Sequence, residues 1–362
     1  MQKIVIKNFG PISNAEIEIK KTMVLIGEQG SGKSTIIKLI SSFMWLEKDL
    51  YRSFITKEES GFSTYFKKDV KDMLSYHRIE NYFNKKTSIE YQGLVYKLSF
   101  SNNKFSIVET QKKFIYPQII YIPAERNFIS YVNNFRASEF IPWGLKDFID
   151  DFKLATTNLK QPLQLPINNS EIVKGDFDIL YLKENDKYNI KLSDASSGFQ
   201  AVVPILLVSE YSQKKITNDN YGEKHISLKK TSFVNIVEEP EQNLFPVSQM
   251  QLIKSLVSIC NQNEDNKLLI STHSPYVLAT INNLILANKV GQKSPDKVLS
   301  KVDKQLWLNP NDVFAGIVKD GTVEDMIDKD LDMIKVELLD AVSQIINEEF
   351  DYLYKYETAD NA

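Results

Sequence analysis

Apolar positions along this chain fall into short blocks whose spacing alternates between two residues and three to four. Ile4, Ile6 and Phe9, and then Ala15, Ile17 and Ile19, alternate with polar residues on either side of Gly10-Pro11. That pattern predicts two strands, Ile4 to Phe9 and Ala15 to Ile19, joined by a turn. Met23-Val24-Leu25-Ile26 reads as a compact apolar strand. From Ser34 to Lys48 the period becomes helical, with Ile36, Ile37, Leu39, Ile40, Phe43 and Met44 apolar. Residues 46–114 change character. Tyr51 to Tyr82 is polar, aromatic and mostly helical, and Thr87 to Val108 reads as strands, with Tyr91 to Phe100 alternating around Gly93. Tyr116 to Ile122 is β-rich, and residues 128–165 are aromatic and helical. Glu171 to Leu192 reads as a hairpin with turn signals at Gly175-Asp176 and Glu184-Asn185-Asp186.

The second half repeats a clearer rhythm. Gln200 to Glu210 is an apolar helix and Lys214 to Lys230 a polar, mobile loop. Ser232 to Val237 is a strand, Val247 to Cys260 a helix with Leu252, Ile253, Leu256 and Cys260 on one face, and Lys267 to Ser271 the next strand. Strands alternating with helices imply a mainly parallel sheet. A strand near Val313 to Val318 and a helix from Val336 to Tyr354 complete the chain, and no internal repeat, low-complexity tract or long heptad array is visible.

Composition narrows the class. The 362 residues suit one large domain or two of ordinary size, and 43% hydrophobic content with 20 Phe and 17 Tyr supplies ample core material. A net charge of −3 gives no bulk signature for nucleic acid or membrane, although 44 Lys and Arg leave room for a local basic groove. The single cysteine, Cys260, excludes a disulfide framework and a multi-thiolate zinc site and suits a reducing cytoplasm. No signal-peptide core opens the chain, and no apolar run reaches the roughly 18 residues that span a bilayer. A soluble cytoplasmic protein without a membrane partner is expected.

The candidate chemistry begins at Gly27-Glu28-Gln29-Gly30-Ser31-Gly32-Lys33-Ser34, followed by Thr35. The glycines let backbone N–H groups curl around phosphate oxygens at a helix N-terminus, Lys33 reaches the β- and γ-phosphates, and Ser34 holds Mg²⁺. Strand, loop and helix in that order is the context a nucleotide site requires. Glu238-Glu239-Pro240-Glu241 follows the strand that begins at Ser232, which places an acidic pair at a parallel strand's C-terminal end. One carboxylate there supports Mg²⁺ through water and the second orients or deprotonates an attacking water. Read alone, the same residues are a solvated acidic turn. Asn235 inside that strand is unusual for a buried position. Ser271-Thr272-His273-Ser274-Pro275 brings an imidazole to the same edge. Of the three histidines, His77, His225 and His273, only His273 follows an apolar strand of the nucleotide core. Leu192 to Gln200 puts small and hydroxyl residues before a helix. It reads equally as an anion-binding cap or as a plain helix cap.

In order, the chain carries the phosphate loop, Ser196-Ser197-Gly198-Phe199-Gln200, Glu238-Glu239-Pro240-Glu241 and Thr272-His273-Ser274-Pro275. This set resembles the ATP-binding-cassette ATPase superfamily, in its soluble RecF/SMC-like branch, and the ATPase part of overcoming-lysogenization-defect proteins, bacterial AAA-family ATPases. Ile6 to Ile12 and Tyr121 to Arg126 are similar to that branch too. The resemblance implies an α/β P-loop NTPase with an ABC-type head, a mixed sheet flanked by helices, and a helical and β insertion lobe. The core would comprise residues 1–45, 115–127 and 171–312, the lobe 46–114 and 128–170, and a C-terminal strand–helix segment 313–362. It further implies ATP and Mg²⁺ as ligands and a head-to-tail dimer with ATP sandwiched between subunits. Ser197 and Gly198 would touch the nucleotide of the other subunit and lie far from their own loop. Glu239 would be the catalytic glutamate, Glu238 the acid supporting Mg²⁺ and His273 the switch histidine. Gln118 stands where a Q-loop residue is expected, and Arg126 is an alternative nucleotide sensor.

Three departures stand out: Glu238 for an aspartate, Phe199 for the second signature glycine, and Gln242-Asn243-Leu244-Phe245 for a D-loop with its aspartate. A transporter subunit is disfavoured by the long gap from Lys33 to Ser197, and a GTPase by the lack of Asn-Lys-x-Asp. Asp328-Lys329-Asp330-Leu331-Asp332 reads as an acidic helix start rather than a nuclease metal cluster. Two roles stay open: an ATP-driven switch acting on DNA, and a scaffold that holds and releases a separate effector, a nuclease or toxin, as in antiviral defence. The short basic clusters are Lys112-Lys113, Lys214-Lys215 and Lys229-Lys230.

Overall fold

The computed structural model describes residues 2–57, 70–102, 104–110, 114–134, 141–184, 188–218, 229–335 and 347–351. β1 (Lys3–Phe9) and β2 (Ile12–Glu18) form the opening hairpin, with Ile4 opposite Ile17 and Ile6 opposite Ala15. The period-two alternation is thus the buried face of the pair. β3 (Thr22–Ile26) runs into the glycine-rich loop and α1 (Lys33–Thr56), a turn or two longer than the periodicity alone predicts. α2 (Val70–Ser75) precedes an antiparallel meander of β4 (Ser88–Gln92), β5 (Tyr96–Ser101) and β6 (Lys104–Glu109). β7 (Pro117–Ile122), a 3₁₀ segment (Ala124–Asn134) and α3 (Trp143–Thr157) follow. β8 (Leu163–Gln164), β9 (Ser170–Lys174), β10 (Leu180–Glu184) and β11 (Tyr188–Lys191) make a separate antiparallel sheet, so the segment expected to be a hairpin supplies three of its four strands. Then come α4 (Ser197–Asn218), β12 (Ser232–Glu238), α5 (Pro246–Cys260), β13 (Lys267–Thr272), α6 (Pro275–Gly291), α7 (Pro295–Leu299), β14 (Val313–Lys319) and β15 (Thr322–Asp325). β16 (Ile327–Asp328) and β17 (Met333–Ile334) close a small hairpin.

The main sheet has 11 strands in the order β6-β5-β4-β1-β2-β15-β14-β3-β13-β12-β7. β14, β3, β13, β12 and β7 are mutually parallel. The β6 to β2 half is antiparallel. The fold is therefore a mixed α/β sheet flanked by helices. β12 is buried along its whole length, as a parallel strand covered on both faces must be. Residues on alternating sides of the central strands feed two cores. One contains Met23, Leu25 and Leu269 with Ile36, Leu39 and Phe43 of α1; the other contains Val24, Leu268 and Ile270 with Val202, Leu252 and Val277.

Two segments sit differently from a simple core-plus-lobe picture. β4 to β6, within 46–114, continue the main sheet at the β1 edge, and β14, from the C-terminal segment, lies beside the phosphate-loop strand. Long-range pairing of this kind leaves no local mark in the sequence. Asn235 is buried and donates from Nδ2 to Ser209 Oγ at 2.8 Å, which links β12 to α4 and offsets the cost of a polar group in that strand. Asp328 does not start a helix. Its carboxylate accepts the backbone N–H groups of Asp330 and Leu331 and closes the turn between β16 and β17, and those bonds hold its pKa down. His225, Lys112-Lys113, most of the polar loop 214–230 and most of the helix expected from Val336 to Tyr354 fall outside the described residues.

Glu47, buried on α1, accepts the N–H groups of Val95 and Tyr96 at 2.7 and 3.2 Å and the Tyr91 hydroxyl at 3.1 Å. It ties the helix that follows the phosphate loop to the β4–β5 hairpin. His77 is buried against Tyr121 and Tyr76, with ring centroids at 4.4 and 4.7 Å. Burial, with Lys38 adding to it, pushes its pKa down to about 3 from an ordinary 6.5. The folded state then binds fewer protons than the unfolded chain below pH 6.5. The stability His77 contributes is complete above pH 6.5 and is lost as pH falls toward 3. This single group gives a slope of up to about 1.4 kcal/mol per pH unit. Urea unfolding at pH 7, 5.5 and 4.5 should show a shallower acid loss for His77→Phe than for the parent. Equal slopes would show that His77 is not the group that titrates.

Candidate functional site

Register places the site. Ile26, at the end of β3, lies opposite Thr272 of β13, and Ser271 lies opposite Glu238 of β12. Three parallel strands therefore end level, and the segments leaving them converge: residues 27–32 from β3, His273 from β13 and Glu239 from β12. The loop closes on the N-terminus of α1. Gly32 caps that helix with φ +107°, and a Cβ there would meet Ile12 Cδ1 at 2.4 Å. Both facts demand glycine. No side chain caps α1, so its first amides are available to an anion.

Lys33 is nearly buried. Its Nζ donates to the carbonyl oxygens of Gly27 and Glu28, each at 2.8 Å, and lies 3.4 Å from His273 Nδ1. Burial lowers its pKa, while Glu239 and Glu241 pull it back up. His273 Nε2 is 3.2 Å from Glu239 Oε1. A neutral imidazole satisfies both neighbours at once, with Nδ1 accepting from the ammonium and Nε2–H donating to the carboxylate. Lys33, His273 and Glu239 thus form one line across the strand ends. Glu239 has φ +43°, a left-handed backbone uncommon outside glycine, which marks the turn as held by its surroundings. Its second oxygen, Oε2, accepts from Gln242 Nε2 at 2.8 Å. Glu241 accepts the His273 N–H at 2.6 Å.

Glu238 is buried. Its Oε2 accepts the Ala124 N–H at 3.3 Å, Oε1 lies 3.8 Å from Lys38 Nζ, and the Tyr121 hydroxyl neighbours the carboxylate. The Ser34 hydroxyl at the head of α1 and the Glu238 carboxylate at the end of β12 are both oxygen donors, the kind Mg²⁺ takes.

The remaining expected residues divide. Ser197 and Gly198 begin α4, with Ser197 exposed, and a Cβ on Gly198 would lie 3.0 Å from the Asn243 carbonyl oxygen. The signature-like turn therefore abuts the turn that follows Glu239 in the same chain. Phe199 is buried in the core, which accounts for an aromatic in that place. Gln200 donates to Ser193 O and Ala195 O at 2.9 and 3.1 Å and fixes the loop before α4. Gln118 is not brought to the site. It pairs with Phe233 near the start of β7, five residues before the level of Glu238, roughly 16 Å away at strand spacing.

Arg126 is no nucleotide sensor. It is fully buried, and its guanidinium donates to Ala201 O at 3.1 Å, Pro123 O at 3.2 Å, and the Glu238 and Glu239 carbonyl oxygens at 2.7 Å each. Burial lowers its pKa to about 10, opposed by Glu241, Glu239, Glu238 and Glu125, so it stays charged at neutral pH. It clamps the first turns of α4 to the end of β12. Neither this clamp nor the roles of Glu241 and Gln242 could be read from residue types alone. The only local sign was an arginine placed directly after an apolar strand.

Lys33→Ala should abolish ATP binding in an equilibrium titration with a fluorescent ATP analogue while the thermal transition stays near that of the parent. Arg126→Ala should do the opposite in kind. Removing a buried cation that donates to four backbone carbonyls and faces the Glu238–Glu241 cluster should lower stability by about 3–5 kcal/mol in urea unfolding. A Lys33→Ala protein that is folded and binds ATP normally would remove Lys33 from the site.

The AAA ATPase domain family matches the chain over residues 1–139 and 46–278. No curated protein matches it. Among solved structures, the SMC head domain from Thermotoga maritima is similar at 11% identity, covering 89% of this chain and 97% of that one, with a TM-score of 0.39. An Smc head domain with an extended coiled coil, bound to the C-terminal domain of ScpA derived from Pyrococcus furiosus, is similar at 12% identity, covering 90% and 96%, with a TM-score of 0.40. A dimeric ATP-binding cassette in a post-hydrolysis state, bound to ADP and Pi, is similar at 12% identity, covering 89% and 96%, with a TM-score of 0.34. Among the described residues, no helix is long and apolar enough to cross a membrane.

Proposed function

The chain belongs to the AAA ATPase domain family, and from that premise we propose that it binds and hydrolyses ATP with Mg²⁺ and dimerises head to tail as it does so. The observation that carries this reading is the line of Lys33, His273 and Glu239 across three level strand ends. Ser34 and Glu238 are the residues that would hold Mg²⁺, whose charge, when bound, offsets that of the β- and γ-phosphates. Lys33 exchanges its bonds to the Gly27 and Glu28 carbonyls for phosphate oxygens. Glu239 orients a water and takes its proton as the water oxygen bonds to the γ-phosphorus. The bond from that phosphorus to the bridging oxygen breaks, giving ADP and phosphate. His273, between Lys33 and Glu239, stands where it can hydrogen-bond the transferred phosphoryl group.

Dimerisation is supported by the surface around this edge. Ser196 and Ser197 are exposed at the start of α4, and Phe245, Val247 and Tyr276 are 75, 52 and 51% exposed beside Glu239 and His273 in sequence. Exposed aromatics beside a catalytic turn suit coverage by a second copy. The biological role we assign is the ATPase component of a DNA-maintenance or antiviral-defence system, in the cytoplasm, with a separate effector protein as the further partner. Holding and releasing that effector without touching DNA is the other form of the same role. Lys214 is exposed and pairs with Glu210 one helical turn away at 2.8 Å.

Glu239→Gln should keep ATP affinity and slow turnover by about a hundredfold or more, since general-base steps contribute about that. With ATP and Mg²⁺ it should elute as a dimer. Parental turnover in this variant would exclude Glu239 as the base, and a strictly monomeric ATP-saturated protein would exclude the dimer.

A further inference from the structure

We propose that Gln242 is the positioning residue that sets the carboxylate of Glu239, and that it couples that carboxylate to the Ser197–Gly198 turn of the same chain. The inference rests on the ATPase reading and adds to it a residue that stands where a D-loop would be. Three observations meet in one short turn. Gln242 Nε2 donates to Glu239 Oε2 at 2.8 Å, and the Gln242 N–H donates to the Glu239 carbonyl at 3.2 Å, so side chain and backbone both bind the same residue. The turn is bracketed by two left-handed residues that are not glycine, Glu239 at φ +43° and Asn243 at φ +59°. Its next carbonyl, Asn243 O, is the atom that a Cβ on Gly198 would approach at 3.0 Å.

These contacts form a short path: Gly198, the Asn243 carbonyl, Gln242 and the Glu239 carboxylate. Glu239 has its other oxygen toward His273. A carboxylate has about four lone-pair directions, so one bond to Gln242 and one to His273 fix its plane and still leave acceptor sites for a water. The Gln242 amide is neutral and carries no proton to or from the reaction. Its effect is on orientation alone, and small misplacements of a reacting group cost rate steeply. A shift of the Ser197–Gly198 turn against the Asn243 carbonyl would reach the Glu239 carboxylate through Gln242, even with the body of α4 held by Arg126.

The test compares Gln242→Leu, Gly198→Ala, their combination and Glu239→Gln, using the full chain with ATP and Mg²⁺. Gln242→Leu keeps most of the bulk of the side chain and removes its amide, donor and acceptor together. Steady-state hydrolysis should fall about tenfold or more in kcat, with KM, the ATP dissociation constant and the thermal midpoint at parental values. Gly198→Ala should also lower kcat, and the double variant should lose no more than the worse single variant, because both act through one path. A structural role for Gln242 would instead move the thermal midpoint, and independent roles would multiply. Parental kcat in Gln242→Leu, alongside a slowed Glu239→Gln, would overturn this proposal and leave the ATPase reading standing. Parental kcat in both would overturn the ATPase role of Glu239 as well. Multiplying losses in the double variant would overturn the coupling.

Discussion

Everything at the nucleotide edge depends on β3, β13 and β12 ending at one level. That is a constraint of register. In a parallel ladder, a slip of one residue would turn every side chain to the opposite face and move the exits of the three strands apart. The register is specified because both faces are buried: Met23 and Leu25 face one core, Val24 the other, and Leu268, Leu269 and Ile270 alternate beside them. The phosphate loop, His273 and Glu239 therefore need no long-range polar contact to find one another. Packing delivers them, and hydrogen bonds only trim their orientation.

Charge is the second constraint. Glu238, Glu239 and Glu241 crowd the end of β12, and an acidic cluster of this density is costly unless it is matched. Arg126 lies beneath it with each end of its guanidinium on a backbone carbonyl, and Lys33 and Lys38 face it from α1. The planar fork of an arginine suits this place because it binds several carbonyls at fixed angles, which a lysine cannot do. One buried cation thus does two things. It balances the carboxylates, and it joins α4 to β12 through Ala201 and Glu239. The helix that presents Ser197 cannot shift freely against the strand that presents Glu239.

How far the sequence discloses this depends on the range of each interaction. The phosphate loop, the acidic turn and His273 are legible because each is a local pattern at the end of an apolar strand. The β1–β2 hairpin and the β12–α5–β13 unit are legible for the same reason, their periods being two and three to four. The insertion of β14 beside β3, and the pairing of β4 with β1, are not, because contacts between strands far apart in the chain carry no local sign. Gln118 misled by position. It sits on the correct strand, but at the end remote from the loop. The sensor reading of Arg126 came with the resemblance alone; the packing of α4 over it shows a buried clamp. Asp328 resembled a helix start because an acidic cluster before an apolar stretch fits one, yet the same carboxylate satisfies a tight turn equally well.

Phe199, Gln200 and the turn that follows Glu239 support one another. Phe199, where a second signature glycine is usual, buries its ring in the core and so anchors the start of α4 from within. Gln200 holds the preceding loop by three backbone carbonyls. With that turn anchored from both sides, Gly198 can rest against the Asn243 carbonyl, and the strained residues Glu239 and Asn243 are held from one side by α4 and from the other by His273. Non-glycine residues persist in left-handed conformations only where the surroundings over-determine them, at about 1–3 kcal/mol each. Here the surroundings that do so are the elements a catalytic turn would have to sense. The strain at Glu239 and Asn243 thus lies between the start of α4 on one side and His273 on the other, the two elements that hold the turn.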